Sequence, residues 1–328
     1  MKILNLDIYG ESHAPEIGMR LSGIPKGEKI DSQELQLFSD RRKATKDAHS
    51  TSRLEPDELI VKSGILSGKT TGGTIQIEIK NTSVRPHDYD NVKTVPRPGH
   101  ADYPSFVRFG KIPSGGGKFS GRMTAPLVAA GGIAKQILER EGIRLDSRIT
   151  EIGGVKENWQ EKIVQAKANL DSVGGIIEAT ATNLPVGLGG IMFDSIESDL
   201  ARLLFGIPAV KGVEFGAGFE ITKMLGSEAN DSYFMQNGKV QTKTNHNGGI
   251  LGGLTNGQPA VVRVAIKPTP SIGKSQDTVD LATSKNTTLE IKGRHDACIV
   301  PRAVVVVEAC LALTLLDVIL DRRQSEKS

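Results

Sequence analysis

The segment Gly64-Ile65-Leu66-Ser67-Gly68-Lys69-Thr70-Thr71-Gly72 returns 185 residues later as Gly249-Ile250-Leu251-Gly252-Gly253-Leu254-Thr255-Asn256-Gly257, with six of nine positions identical. Each copy is followed by an alternating stretch ending in a lysine, Lys80 or Lys267, then by an arginine–histidine segment and a long apolar helix. A chain written twice in this way predicts two similar halves packed about a pseudo-twofold. Chance likeness of two glycine-rich turns is the competing explanation. No Pro/Ser-rich linker parts the halves, so they are expected to share one core. Residues 1–328 then form a single domain, with the repeat spanning about 64–141 and 249–320.

Alternation predicts strands over residues 2–9, 75–80, 176–182 and 260–266. Helical patterning is expected over 31–38 (Asp31 or Ser32 as N-cap), 125–141, 159–172 and 195–205. Pro301 suits the first turn of a final helix. Residues 10–18 read as a loop bracketed by glycines, 222–247 as a mobile insertion, and 322–328 as a disordered tail. Residues 303–320 are apolar enough to raise a membrane question, but Glu308, Thr314 and Asp317 favour a buried core helix.

Composition narrows the function. The formal charge is only +3, so no global attraction to nucleic acid is implied. Cys298 and Cys310 lie in an apolar run without CxxC spacing, which favours neither a disulfide framework nor zinc. Asp7 and Glu11 interrupt the N-terminus before a signal-peptide core could form, so a cytoplasmic protein is expected. The Asn81-Thr82-Ser83 sequon then carries no meaning. No Walker A loop or convincing GxGxxG is present, and no His–Glu spacing suits a metal.

Five loops combine glycine or proline with cations, hydroxyls or imidazoles: residues 10–13, 97–102, 115–122, 267–271 and 293–296. Glycine lets backbone amides face an anion, arginine forks onto phosphate or carboxylate, and histidine moves protons near neutral pH. Singly, each has an ordinary structural explanation. Together they point to a site for a small polyanion. The basic run Arg41-Arg42-Lys43 is read as too cationic to pack on itself, hence as a lid, with a solvated face as the plain alternative.

The ordered set GESH, RPGHAD, the triple-glycine loop ending SGRMTA, NHNGGILGG, KPTPSI and GRHDAC resembles chorismate synthase, from residue 10 to 303. The resemblance implies an α+β fold, a β-α-β sandwich in a homotetramer, which agrees with two pseudo-symmetric halves sharing one core. It implies loss of phosphate from 5-enolpyruvylshikimate 3-phosphate to give chorismate, with reduced FMN required but no net redox change. It implies catalytic roles for His13, His100 and Asp296, with His13 near the leaving phosphate, His100 beside the reduced flavin and Asp296 helping to take the ring C6 proton. Substrate would be held by Ser12, Arg42, Arg97 and Arg122. Flavin contacts would come from Lys118, Phe119, Ser120, Pro208, Ala209, Gly252, Lys267, Pro268, Thr269, Pro270, Ser271 and Arg294. No extra dinucleotide motif is present, so an external flavin reductase, rather than NADPH bound by this chain, is the expected electron source.

The chain departs from the family pattern at Ala14, where glycine is usual, at Lys118-Phe119, where Arg-Ser is usual, and at Ala48, where an arginine is usual and Lys46 could compensate. These changes bear on flavin affinity more than on reaction type. Two other classes compete: a non-catalytic flavin- or phosphosugar-binding paralogue, and an RNA-binding protein using residues 41–46.

Overall fold

The computed structural model describes residues 1–44, 55–82, 93–291 and 296–326. The first half runs β1 (Asn5–Gly10), β2 (Glu16–Ser22), α1 (Ser32–Asp40), β3 (Ile60–Ser63), β4 (Ile65–Leu66), β5 (Lys69–Thr70), β6 (Ile75–Lys80), α2 (Asp102–Phe109) and α3 (Thr124–Arg140). The second runs β7 (Arg144–Ile152), α4 (Gln160–Ala168), β8 (Gly175–Thr182), α5 (Ile196–Phe205), β9 (Val210–Phe215), α6 (Gly226–Ala229), β10 (Tyr233–Gln236) and β11 (Lys239–Thr242). It continues through β12 (Ile250–Leu251), β13 (Leu254–Thr255), β14 (Ala260–Ile266), β15 (Gln276–Asp280), β16 (Lys285–Leu289) and α7 (Val300–Ser325).

Each half builds one four-stranded antiparallel sheet, β1-β2-β6-β3 and β7-β8-β14-β9, so the two share one strand order. The near-repeat forms equivalent hairpins, Ile65 opposite Thr70 and Ile250 opposite Thr255. Their central residues, Ser67-Gly68 and Gly252-Gly253, all have positive φ, the conformation that matches strand twist in a two-residue turn. Thr70 Oγ1 donates to the Pro25 carbonyl at 2.5 Å, and Thr255 Oγ1 donates to that of Pro185 at 2.6 Å.

Strand alternation turns one face of each sheet inward. Ile75, Ile77 and Ile79 on β6 pair with Leu21, Met19 and Ile17 on β2, and all six are buried. Ile177, Ala179 and Ala181 on β8 are opposed by Val264, Val262 and Ala260 on β14. Helices α3 and α7 lie between the sheets and pack on each other. A Cβ at Gly131 would collide with Ala309 on α7, so this helix pair needs glycine there despite its cost of about 0.5–1 kcal/mol in a helix. Helix α7 is long and apolar enough to cross a membrane, but it is buried within the sandwich. Its acids are accommodated: Asp317 accepts the backbone N–H groups of Lys2, Ile3 and Leu4, and Glu308 meets Arg41, Lys135 and Ser147. Burial alone would raise the Glu308 carboxyl, but these partners hold it below its ordinary value.

Several boundaries differ from expectation. Strand β2 begins at Glu16, inside the expected loop, because Gly18 sits under the Tyr9 ring rather than in a turn. Helix α4 stops at Ala168, where Leu170 takes φ +54°. The segment 222–247 holds α6 and the β10–β11 hairpin instead of irregular chain. Helix α7 carries the tail in helical form to Ser325.

Candidate active site

The two central helices begin at one place. A cavity of about 750 Å³ opens there, lined by Gly121, Arg122 and Thr124 at the start of α3 and by Asp296, Ile299 and Arg302 at the start of α7. Neither Met123 nor Ile299 caps its helix with a side chain, and among the described residues Ser120 Oγ accepts only the Arg122 N–H, just before α3. The positive ends of a 17-residue and a 26-residue helix therefore meet at one space, which suits an anion.

The halves give this cavity unlike walls. The first contributes cations, Arg42, Lys43, Arg97, Lys118 and Arg122. The second contributes mainly apolar groups, Phe205, Ile207, Pro208, Ala209 and Val210 from the end of α5 onward and Ala303 and Val306 on α7, together with the cations Lys211, Lys267 and Arg302. Ala209 holds φ +75°, a conformation costly for a residue with a Cβ.

The arginines are built in. Arg42 is 4% exposed, and donates from Nε to Thr124 Oγ1 at 2.8 Å, from one terminal nitrogen to the Gly121 carbonyl at 2.8 Å and from the other to Asp57 Oδ2 at 3.3 Å. Arg122 donates from Nε to Asn81 Oδ1 at 2.9 Å and pairs closely with Asp57 Oδ1. Asn81 thus serves as a buttress, its amide also donating to the Ala14 carbonyl at 2.7 Å. Burial, aided by the charges of Arg302 and Arg122, pulls Arg42 down to about 9. Arg41 donates to buried Glu308 at 2.7 Å. Arg42 is therefore a fixed component of the wall and Arg41 is tied to α7 behind it, a correction to their expected role as a lid. Lys46 and Ala48 lie outside the described residues.

The loop before α2 holds His100. Its Nδ1 lies 2.6 Å from Asp102 Oδ1 and 3.1 Å from an Arg97 terminal nitrogen, and the carboxylate favours a proton on Nδ1. Asp102 is fully buried and also accepts from Arg97 Nε at 2.7 Å and from an Arg97 terminal nitrogen at 2.8 Å. Burial pushes the Asp102 carboxyl up, but the bonds from Arg97 and His100 outweigh it and hold the group well below the carboxylate range. Arg97 reaches across to Ser271 Oγ at 3.3 Å, and Lys267 Nζ donates to the Gly99 carbonyl, tying this loop to the one after β14.

The triple glycine separates the two histidines. Gly115, Gly116 and Gly117 have φ of 59°, 84° and 52°, a run that residues with a Cβ adopt at a cost. A Cβ on Gly115 would lie within the His13 ring, and one on Gly116 would be 3.2 Å from His100 Nε2. His13 Nδ1 is 3.0 Å from Ser12 Oγ, which lies 3.2 Å from the Gly115 carbonyl. With the hydroxyl donating to that carbonyl, its oxygen can accept from His13 Nδ1–H. Gly115 lines the cavity, whereas His13 stands against Gly115 and is not among the lining residues.

Asp296 accepts from Arg302 at 2.6 Å through Oδ2, while its buried Oδ1 has no hydrogen-bond partner among the described residues. Thr269 Oγ1 donates to the Asp296 carbonyl at 2.8 Å. Of the residues selected from sequence, Arg42, Arg97, His100, Lys118, Phe119, Ser120, Arg122, Pro208, Ala209, Lys267, Thr269, Pro270, Ser271 and Asp296 line this cavity. Ser12 sits beneath it through Gly115, and Pro268 is within the same 267–271 loop but is not a lining residue. Gly252 lies elsewhere, exposed in the β12–β13 turn. Arg294 falls outside the described residues. Asp57 and Arg302 were not foreseen: Asp57 follows no glycine signal, and Arg302 reads as one more polar residue of a helix start.

The family model for chorismate synthase matches residues 4–320. The chain belongs to the chorismate synthase family. It is 43% identical to the chorismate synthase of Thermococcus kodakarensis, over 99% of this chain and 98% of that protein. To the Pyrococcus abyssi chorismate synthase it is 45% identical, over 98% and 97% of the two chains. A crystal structure of chorismate synthase superposes with a TM-score of 0.76 at 26% identity, covering 98% of this chain and 93% of that one. As a member of this family the chain is a carbon–oxygen lyase of the shikimate pathway to aromatic compounds, and its α+β fold is the family's. Nothing favours the non-catalytic paralogue.

Proposed function

We propose that this cavity binds 5-enolpyruvylshikimate 3-phosphate and FMN together, and that the chain eliminates phosphate from that substrate to form chorismate. The observation that supports this most is one cavity at two helix N-termini with a largely cationic wall from the first half and a largely apolar wall from the second. A substrate with one phosphate and two carboxylates calls for several guanidinium groups in fixed orientations, and Arg42, Arg97 and Arg122 are each held by protein acceptors. A planar tricycle suits the wall of Ile207, Pro208, Ala209, Val210, Ala303 and Val306, with Lys118 and Lys267 available to its phosphate. A volume of about 750 Å³ is room for two such ligands. The residues present thus fit reduced flavin, which when bound would supply electron density to the breaking allylic C–O bond.

The protein's part is position and proton movement. The C6–H and C3–O bonds break, a ring double bond forms, phosphate leaves, and no electrons are gained or lost overall. Asp296, whose Oδ1 has no partner among the described residues and whose Oδ2 is anchored by Arg302, would help to take the C6 proton. His13, beside Ser12 and Gly115, would serve the departing phosphate, and His100, oriented by Asp102, the flavin side. We further propose a homotetramer, for which the exposed Phe219, Leu225, Tyr233, Met235 and Val240 offer apolar area. In it Gly252, away from this cavity, would serve the flavin of a neighbouring subunit. Electrons would come from an external flavin reductase.

The test is an anaerobic assay with chemically reduced FMN and 5-enolpyruvylshikimate 3-phosphate. Chorismate and stoichiometric phosphate are expected. Tight binding of both ligands without product would instead support the binding-protein reading.

A further inference from the structure

We propose that Asp57 is the positioning residue for the arginine pair of this site, one buried carboxylate that aims two guanidinium groups at the same anion. The proposal rests on the anion-binding reading of Arg42 and Arg122 given above.

Asp57 is 3% exposed and precedes β3. Its Oδ2 takes Arg42 and its Oδ1 takes Arg122, so the two guanidiniums approach each other across one carboxylate. Its backbone has φ +46°, which only the short polar residues and glycine adopt at small cost. The Asp57 carbonyl accepts the Gln36 side-chain amide at 3.0 Å, which pins the segment to α1.

The consequence for binding follows from counting donors. Among the described residues Arg42 gives one N–H each to Thr124, Gly121 and Asp57. Arg122 gives one each to Asn81, the Lys80 carbonyl and Asp57. A guanidinium carries five N–H bonds, so each keeps two, and both side chains line the cavity. Two like charges at this separation would otherwise repel and turn apart. One carboxylate between two cations leaves net positive charge for the ligand while fixing both forks.

Arg42 is faced by Asp57 from the segment before β3, by Arg122 from the start of α3, and by Arg302 and Asp296 from the start of α7. Burial and two neighbouring cations already disfavour the charged form of Arg42, and Asp57 is the carboxylate that offsets them while holding both forks.

Asp57→Asn isolates the charge, because Asn keeps the volume and tolerates the same backbone conformation. Two measurements are made on the full chain with FMN: titration with inorganic phosphate, and kcat and KM for 5-enolpyruvylshikimate 3-phosphate. Phosphate affinity should fall at least ~10-fold and KM should rise by a similar factor, with kcat lowered less. Asp57→Glu, which keeps the charge but moves it by one methylene, should weaken phosphate ~10-fold. It also serves as the test should Asp57→Asn fail to fold. Wild-type phosphate affinity in either folded variant, or an unchanged KM in Asp57→Asn, overturns the proposal. Failure of the unaltered protein to form chorismate while these phosphate shifts persist would refute the function reading alone.

Discussion

Replacing the three loop glycines one at a time separates backbone cost from catalytic geometry. Gly115, Gly116 and Gly117 all have positive φ, so alanine at any of them costs about 1–2 kcal/mol of stability. Their surroundings differ. At Gly115 the new Cβ would occupy the His13 ring, so the ring must leave and its contact with Ser12 Oγ is lost. At Gly116 the Cβ stops 3.2 Å from His100 Nε2, which a few tenths of an ångström of movement relieves. At Gly117 it meets the Pro113 Cβ at 2.8 Å and touches neither histidine. Gly121, with nothing within 4 Å, is the control. Turnover under anaerobic conditions with reduced FMN should therefore fall by ~10²–10⁴ for Gly115→Ala, the range for loss of a general acid–base group. It should fall by about tenfold for Gly116→Ala and least for Gly117→Ala. Denaturant unfolding should show similar losses for all three and almost none for Gly121→Ala. If Gly115→Ala turns over like the unaltered protein while losing the same stability, the glycines do not place His13, and the reasoning fails.

Asp296→Asn should cut turnover by at least ~10² while changing flavin and substrate affinity less than ~10-fold, since it removes a basic oxygen and keeps the shape; loss of binding with normal saturated turnover would make Asp296 a binding group instead. Asp317→Ala should lose about 3–5 kcal/mol, less than three full charge-assisted bonds because Lys2 and Ile3 can rehydrate, read from denaturant unfolding; a loss below 1 kcal/mol would show that the N-terminal segment is held elsewhere. Asp102 and Glu308 are held below their ordinary values when folded, so their stabilising contribution is complete above the unfolded carboxylate range near ~4 and is lost as pH falls beneath it. Unfolding midpoints measured from pH 7 to 2 should drop chiefly below pH 4, and less steeply in Asp102→Asn.

Local features of the chain determined the hairpins, the strands and the long helices. The Gly64 and Gly249 segments form type I′-like turns because adjacent residues supply the positive φ, and alternation at Ile75–Lys80 and Ala260–Ile266 predicts which face is inward without knowledge of the partner. Family motifs likewise placed His100, Asp296 and most of the arginines on one cavity. The rest depended on packing. Asp57 lies 15 residues from Arg42 and 65 from Arg122, and Arg42 reaches Thr124 across 82. Such pairs exist only after α3 is seated between the sheets, and no periodicity records them. The same holds for Gly115 beside His13 and for the unlike walls: two halves with one strand order meet at their helix N-termini, but one brings most of the guanidiniums and the other most of the aliphatic side chains. Secondary structure is written in neighbours, whereas the site is made by side chains brought together from opposite ends of the chain.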